Sequence, residues 1–206
     1  LVIICLCLGS FYSSMALCVD QWLHDRIYFA VGADYAFRQG IATEGDGNPD
    51  VGGRKAGAWV LPITDYLEID GVEHGTRVGE FAAASPTVRA MNTRLRFLGI
   101  ERLTFPQVAF YRPDFAPISL GELLNRLGQY RNGLLVTRQF LKNNNLLAGQ
   151  KLPLDVFIGN ATIRIEFVIV GTYDYFPTAF PRREETLIGN LDYLFEQTGD
   201  PSNYKI

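Results

Sequence analysis

The chain has 206 residues, with 19 basic against 22 acidic side chains and a formal net charge of −3. That mild balance argues against a nucleic-acid partner, which ordinarily needs a basic face. All three cysteines, Cys5, Cys7 and Cys18, fall in the first 19 residues, so the remainder can form no internal disulfide and no thiolate metal site.

Leu1 to Val19 contains no charged residue, and a charge-free apolar run of this length is what crosses a bilayer core as a helix. Residues 1–19 are therefore predicted to form a transmembrane helix, in which Gly9 and Ser13 would allow close helix packing. The alternatives are a signal or lipoprotein segment and a buried soluble helix. Leu17 ahead of Cys18 suits a lipid-modified cysteine poorly. The flank from Asp20 to Arg26 is not polybasic, which reads as the outer side, with residues 20–206 extracytoplasmic.

Trp22, Leu23, Ile27 and Tyr28 continue the helical spacing out of the apolar run, with Trp22 suited to an interface. Ile27 to Phe37, rich in β-branched and aromatic residues, then reads as a strand. Residues 40–58 are glycine-rich and read as a long loop. Pro62 to Ile69 suggests a short helix opened by proline, and Val72–Ala84 and Thr87–Ile100 read as strands. In the second of these, Leu95 and Phe97 alternate with Arg94 and Arg96, predicting one buried and one wet face.

The texture changes near Pro113. Ser119 and Glu122 form a capping box, and Leu120, Leu123, Leu124 and Leu127 give the following helix an apolar stripe. A short strand at Leu134–Val136 is followed by a helix from Thr137 to about Asn144. Lys151–Ile158 and Thr162–Tyr173 read as an antiparallel pair joined through Gly159-Asn160, with Ile163, Ile165, Phe167 and Ile169 on one face. Leu191–Gln197 is a last short helix. The expected fold is α+β: a membrane helix, then a two-lobed mixed α/β ectodomain with lobes at 20–112 and 113–206.

Catalytic signatures are missing: there is no G-x-S-x-G elbow, H-E-x-x-H, Walker lysine loop or G-x-G-x-x-G. His24 and His74 are the only histidines and read as ordinary surface or partly buried side chains. Asp46–Asp50 imitates a calcium loop but places Val51 and Gly57 where glycine and a bidentate acid are required. Arg89, Arg94, Arg96 and Arg102 read as solvated strand charges, and Arg182–Glu185 as an exposed turn. The expectation is a non-enzyme without cofactor or metal. The most unusual stretch is Tyr173-Asp-Tyr-Phe-Pro-Thr-Ala-Phe-Pro181. Tyr175, Phe176 and Phe180 are its candidate contacts to a partner or substrate, against the alternative that such aromatics close the core.

Six stretches then carry a family likeness. They are D-x-W-L-x-D-R-I-Y-F-x-V-G-A-D from Asp20 to Asp34 and P-I-T-D-Y-L-E-I-D-G-V-E-H-G-T-R-V-G from Pro62 to Gly79. Arg96–Tyr111, Leu134–Leu152 (with Gln150 where aspartate is common) and Val170–Thr178 followed by Ile188–Phe195 complete them. Together they resemble the extracytoplasmic, or periplasmic core, domain of FtsX-like ABC transporter permeases of the MacB/LolC type. The resemblance implies a permease subunit with no chemistry of its own, coupling ATP-driven helix motion to export, lipoprotein or lipid handling, or envelope signalling. It implies that this chain is a fragment, one membrane helix plus its ectodomain. Its partners would be a cytoplasmic ATPase subunit reached through other parts of the permease, membrane lipid, and a second permease copy. The other class that fits the residues is a membrane-tethered extracytoplasmic binding or sensor domain.

Overall fold

The computed structural model describes residues 2–37, 63–88, 95–158, 161–180 and 184–198. The expected loop at 40–58 and its calcium-like motif lie outside them, as do Arg89, Arg94, Arg182 and Arg183. The first element, α1 (Val2–Val31), is a single 30-residue helix with no buried residue. It is the one described helix long and apolar enough to cross a membrane by length and composition. It also corrects the expected strand at Ile27–Phe37, because the helix runs unbroken to Val31. Extending an existing helix adds one hydrogen bond per residue, whereas a strand there would need a partner.

Short helix α2 (Ile63–Leu67) leads towards β1 (Val78–Ala84) and β2 (Leu95–Ile100). Then come α3 (Phe105–Val108), a 3₁₀ turn at Pro113–Phe115, and α4 (Leu120–Gln129). β3 (Gly133–Thr137), α5 (Arg138–Asn144), β4 (Lys151–Ile158), β5 (Ala161–Tyr173), β6 (Glu185–Asn190) and α6 (Leu191–Thr198) complete the order. The capping box at Ser119 forms as read, with Ser119 Oγ accepting from Glu122 N at 3.2 Å. Thr137 caps α5 in the same way, accepting from Phe140 N at 3.0 Å, and Asn145 closes that helix in the left-handed region at φ 52°.

The six strands close a barrel in the order β1-β2-β6-β3-β5-β4. β2–β6 and β3–β5 are parallel, and the other neighbouring pairs are antiparallel. Strands from both sides of residue 113 therefore share one sheet among the described residues. Alternation sorts the side chains. Phe81, Leu95, Phe97, Leu134, Val136, Leu154, Phe167 and Leu187 fill the interior, while Leu98, Ile100, Leu135 and Ile188 face outward under α4. On β5 the register slips opposite Leu134/Leu135. That bulge turns Gly171 and Tyr173 to the outer face after Ile165, Phe167 and Ile169 have faced inward.

A row of glycines makes the interior possible. Gly79 pairs with Gly99, and Gly99 with Gly189. A methyl on Gly189 would sit 2.4 Å from Phe97 Cζ, and one on Gly99 or Gly79 would sit 2.7 Å from Leu191 Cδ1. The missing side chains on three neighbouring strands are the volume that Phe97 and Leu191 occupy.

The alternation predicted for β2 holds, but its arginine face is not wet. Arg96 is buried, only 8% exposed. Its Nε lies 3.0 Å from Glu80 Oε1 and its Nη1 3.6 Å from Glu184 Oε1. Periodicity identifies which residues share a face, and what covers that face comes from a chain segment more than 70 positions away.

Candidate functional site

Where α1 meets the barrel, three separated segments converge on the last two turns of the helix. α1 ends at Gly32, whose N–H closes the final turn on Tyr28 O at 2.7 Å and whose φ is +91°. That value belongs to the left-handed region, which glycine enters without steric cost. The exit is then pinned on two sides. Phe110 N donates to Gly32 O at 2.8 Å, and Thr178 N donates to Phe29 O at 2.9 Å. Reaching Phe29 O, so near the end of the helix, uses one of the carbonyls left without an intrahelical partner.

Aromatic contacts fill the space between these bonds. Phe29 is edge-on to Phe115 (centroids 5.5 Å, 83°) and to Phe180 (5.6 Å, 87°). Tyr28 packs against Phe110 at 5.4 Å and stacks on His24 at 4.3 Å. Each of the three pairs that cross from α1 to the barrel contributes about 0.5–1.5 kcal/mol beyond area burial, and each of the two backbone hydrogen bonds about 1 kcal/mol net. The joint is thus worth on the order of 5 kcal/mol, enough to hold α1 docked in nearly all molecules.

Charge sets the orientation. Arg112 grips Asp114 with both Nε and Nη2 at 2.9 Å, and its Nη1 reaches Asp25 Oδ2 on α1 at 2.5 Å. The hydrogen bonds to Asp114, then the Asp114 and Asp25 charges, hold the guanidinium above its ordinary pKa despite desolvation. The same guanidinium keeps the Asp114 carboxyl below the usual carboxylate range. Asp114 is exposed and the Arg112–Asp25 contact only part-buried, so salt screening leaves these charges fixing the helix's rotation more than adding strength. Beneath them Tyr111 is half-buried against Phe115 and Phe176. Burial first, and the nearby Asp174 charge second, push its phenol up to about 12.

The aromatic segment singled out in the sequence is the barrel side of this joint, and its three candidates have different roles. Phe176 is wholly buried, stacked on Phe105 at 5.4 Å. Phe180 is 39% exposed and meets Phe29; Tyr175 is 52% exposed and meets Phe115 at 6.1 Å. Only Phe180 among them touches α1. Asp25, Phe29, Gly32, Phe110, Arg112 and Thr178 were not singled out by sequence reasoning. The signal available was Asp25-x-x-x-Phe29-x-x-Gly32, a glycine ending an amphipathic continuation of an apolar helix.

A graded response to serine substitution follows from this division. Phe180→Ser is expected to loosen the joint by about 1–2 kcal/mol without unfolding the barrel, read as faster proteolysis within residues 30–37. Tyr175→Ser should be nearly silent. Phe176→Ser should cost the barrel itself about 3–5 kcal/mol in chemical denaturation.

Elsewhere the chemistry is sparse. An open trough of about 720 Å³ runs along α4, lined by Arg126, Tyr130, Lys151 and Val168. Its two cations are paired with Glu122 and Glu166. Among the described residues no group of three His, Cys, Asp or Glu side chains could hold a metal ion. His74 lies exposed between α2 and β1.

No protein-family model and no curated protein matches the chain. Among solved structures, it is similar to the extracellular domain of the noncanonic ABC-type transporter YknZ from Gram-positive bacteria. The two are 12% identical with a TM-score of 0.38, over 67% of this chain and 65% of that one. The match spans just under two thirds of that domain.

Proposed function

We propose that this chain is the membrane-anchored ectodomain portion of an ABC transporter permease subunit of the FtsX-like, MacB/LolC type. In this reading residues 2–19 of α1 cross the bilayer, about 27 Å of helix matching its hydrocarbon core. Residues 20–31 continue for about 18 Å beyond it as a rigid lever. Trp22, with the Arg26 guanidinium 5.1 Å above its ring, sits at the interfacial level. The barrel is extracytoplasmic and carries no catalysis. ATP is hydrolysed by a separate cytoplasmic subunit, bound through permease parts outside this chain, and lipid surrounds α1. A second permease copy completes the assembly, and the cargo is a lipid, a lipoprotein or an envelope partner.

The observation that carries this reading is the joint. α1 leaves its apolar half without a break and is fastened to the barrel by backbone bonds, an ion pair and interlocked rings. A mere tether would gain nothing from such a fixture. A helix that must pass its displacement to a domain requires one, since coupling runs through rigid elements in contact.

Two measurements test it. With the native cysteines replaced by alanine, Leu147→Cys places a thiol at a 73% exposed barrel position. It is expected to react with a membrane-impermeant maleimide in intact cells; reaction only after lysis would contradict the orientation. Affinity purification from the complete open reading frame is expected to bring down an ATP-hydrolysing subunit. Recovery of a signalling protein instead would favour the membrane-tethered sensor.

A further inference from the structure

The turn that grips α1 contains a residue in an unfavourable conformation. Phe176-Pro177-Thr178-Ala179 is a four-residue turn closed by Ala179 N to Phe176 O at 3.0 Å. Pro177 fixes a negative φ at its second position, and Thr178 at its third has φ +65°. A negative φ followed by a positive one defines a type II turn, whose third position normally takes glycine or asparagine. A β-branched residue there is a steric outlier. The glycine is found instead on the opposite side of the joint. A methyl on Gly32 would lie 2.9 Å from Thr178 Cγ2, so the threonine side chain fills the space that Gly32 leaves open.

Of the polar contacts around Thr178, the one that depends on the turn type is made by its N–H. Its N–H, which belongs to the central peptide of the turn, donates to Phe29 O on α1 at 2.9 Å. Its carbonyl accepts from Arg96 Nη1 at 2.8 Å and its Oγ1 faces Arg96 Nη2 at 3.5 Å, and neither atom belongs to the central peptide. Turns of types I and II differ mainly by a half-rotation of this central peptide, and proline at the second position suits both. In a type I turn Thr178 would return to an ordinary negative φ, and its N–H would point away from α1. One peptide flip thus exchanges relief of strain at Thr178 for loss of the bond to the helix.

We propose that the Pro177–Thr178 peptide is a two-state catch: type II when α1 is docked, type I when α1 disengages, with the barrel folded in both. The proposal rests on the reading of this joint as the link between membrane helix and barrel, and adds how the link lets go. Threonine is suited to it because its strain narrows the gap between the docked and released states while docked stays the favoured one, as a switchable element requires. Arg96 lies beside Glu80 and Glu184, and the carbonyl it binds is outside the peptide that flips. Release therefore leaves no unpaired buried charge.

The test is residue-resolved hydrogen exchange on the full chain in lipid nanodiscs, comparing the native protein with Thr178→Gly and Thr178→Val. In the native protein the amide of residue 178 is expected to exchange well ahead of the β2 and β6 core amides. Thr178→Gly removes the strain and is expected to slow that amide by about tenfold after correction for intrinsic rate. Thr178→Val keeps both the strain and the bulk, losing only the long Oγ1 contact to Arg96 Nη2, and should leave it within about twofold. Exchange of residue 178 only together with the core, or no slowing in the glycine variant, would overturn the catch. These outcomes do not depend on which side of the membrane the barrel occupies. The maleimide result can therefore fail while the catch stands, or the reverse.

Discussion

Replacing Gly32 by valine is expected to release α1 from the barrel while leaving the barrel folded. The substitution acts twice at one atom. It puts a β-branched residue at φ +91°, which disfavours the helix exit itself, and it drives a side chain into Thr178 Cγ2, 2.9 Å from the first added carbon. Left-handed strain costs about 1–2 kcal/mol and overpacking about 1–3 kcal/mol. Together they come to about 2–5 kcal/mol, of the same order as what the joint supplies. The chain can escape the penalty by rotating residue 32 to a negative φ. Doing so redirects Gly32 O away from Phe110 N and lifts Phe29 off Phe115 and Phe180. The expected readout is rapid proteolysis between residues 30 and 37, with the barrel's denaturation midpoint changed by less than the measurement error. Gly32→Ala should lie between valine and the native protein. If both variants keep the segment protected, the exit does not depend on a left-handed residue and the geometry described for it is wrong.

The second large effect belongs to the barrel. Gly189→Val should cost about 3 kcal/mol or more, lowering Tm by on the order of 10 °C for a domain of this size. The contact at issue, 2.4 Å to Phe97 Cζ, cannot be relieved locally. Phe97 is wholly buried and leans on Phe167 at 5.2 Å, which in turn meets Tyr193 at 6.2 Å. Displacing one ring displaces the whole interior layer. Phe97→Leu in the valine background is the informative companion, because a smaller side chain opposite the new one should recover part of the loss. Recovery would show that the glycine row exists to admit the rings rather than to permit a backbone bend.

Elements stabilised by near neighbours were legible in the sequence. The apolar stripe of α4, its Ser119 cap and the β4–β5 hairpin each announce themselves within about 15 residues, through a 3.6 or 2.0 periodicity and turn residues. The barrel was not legible, because its closure depends on the parallel pairs β2–β6 and β3–β5, which join segments separated by long stretches of chain. Arg96 illustrates the same limit. Its alternation with Leu95 and Phe97 is plain, yet the 174–180 segment that covers it is invisible from β2. The end of α1 misleads for a different reason. Ile-Tyr-Phe-Ala-Val has strand-like composition, but its rings serve as the docking face of a helix already under way. At the joint, one half of the interface was visible as an aromatic run. The other half was hidden in single residues, Asp25, Gly32 and Arg112, whose roles exist only once the two halves meet. Thr178 is the instructive case: Pro-Thr is an unremarkable dipeptide until the turn type shows that glycine's place has been taken.

Through a closed joint, α1 and the barrel are expected to move as one body. The most direct measurement is the distance distribution between spin labels at Leu23→Cys on α1 and Leu147→Cys on the barrel, in nanodiscs and with the native cysteines replaced by alanine. One narrow distribution is expected in the native background, becoming broad when Gly32→Val is added. A broad distribution without that change would make residues 32–37 a free hinge, and α1 would then be an anchor rather than a lever.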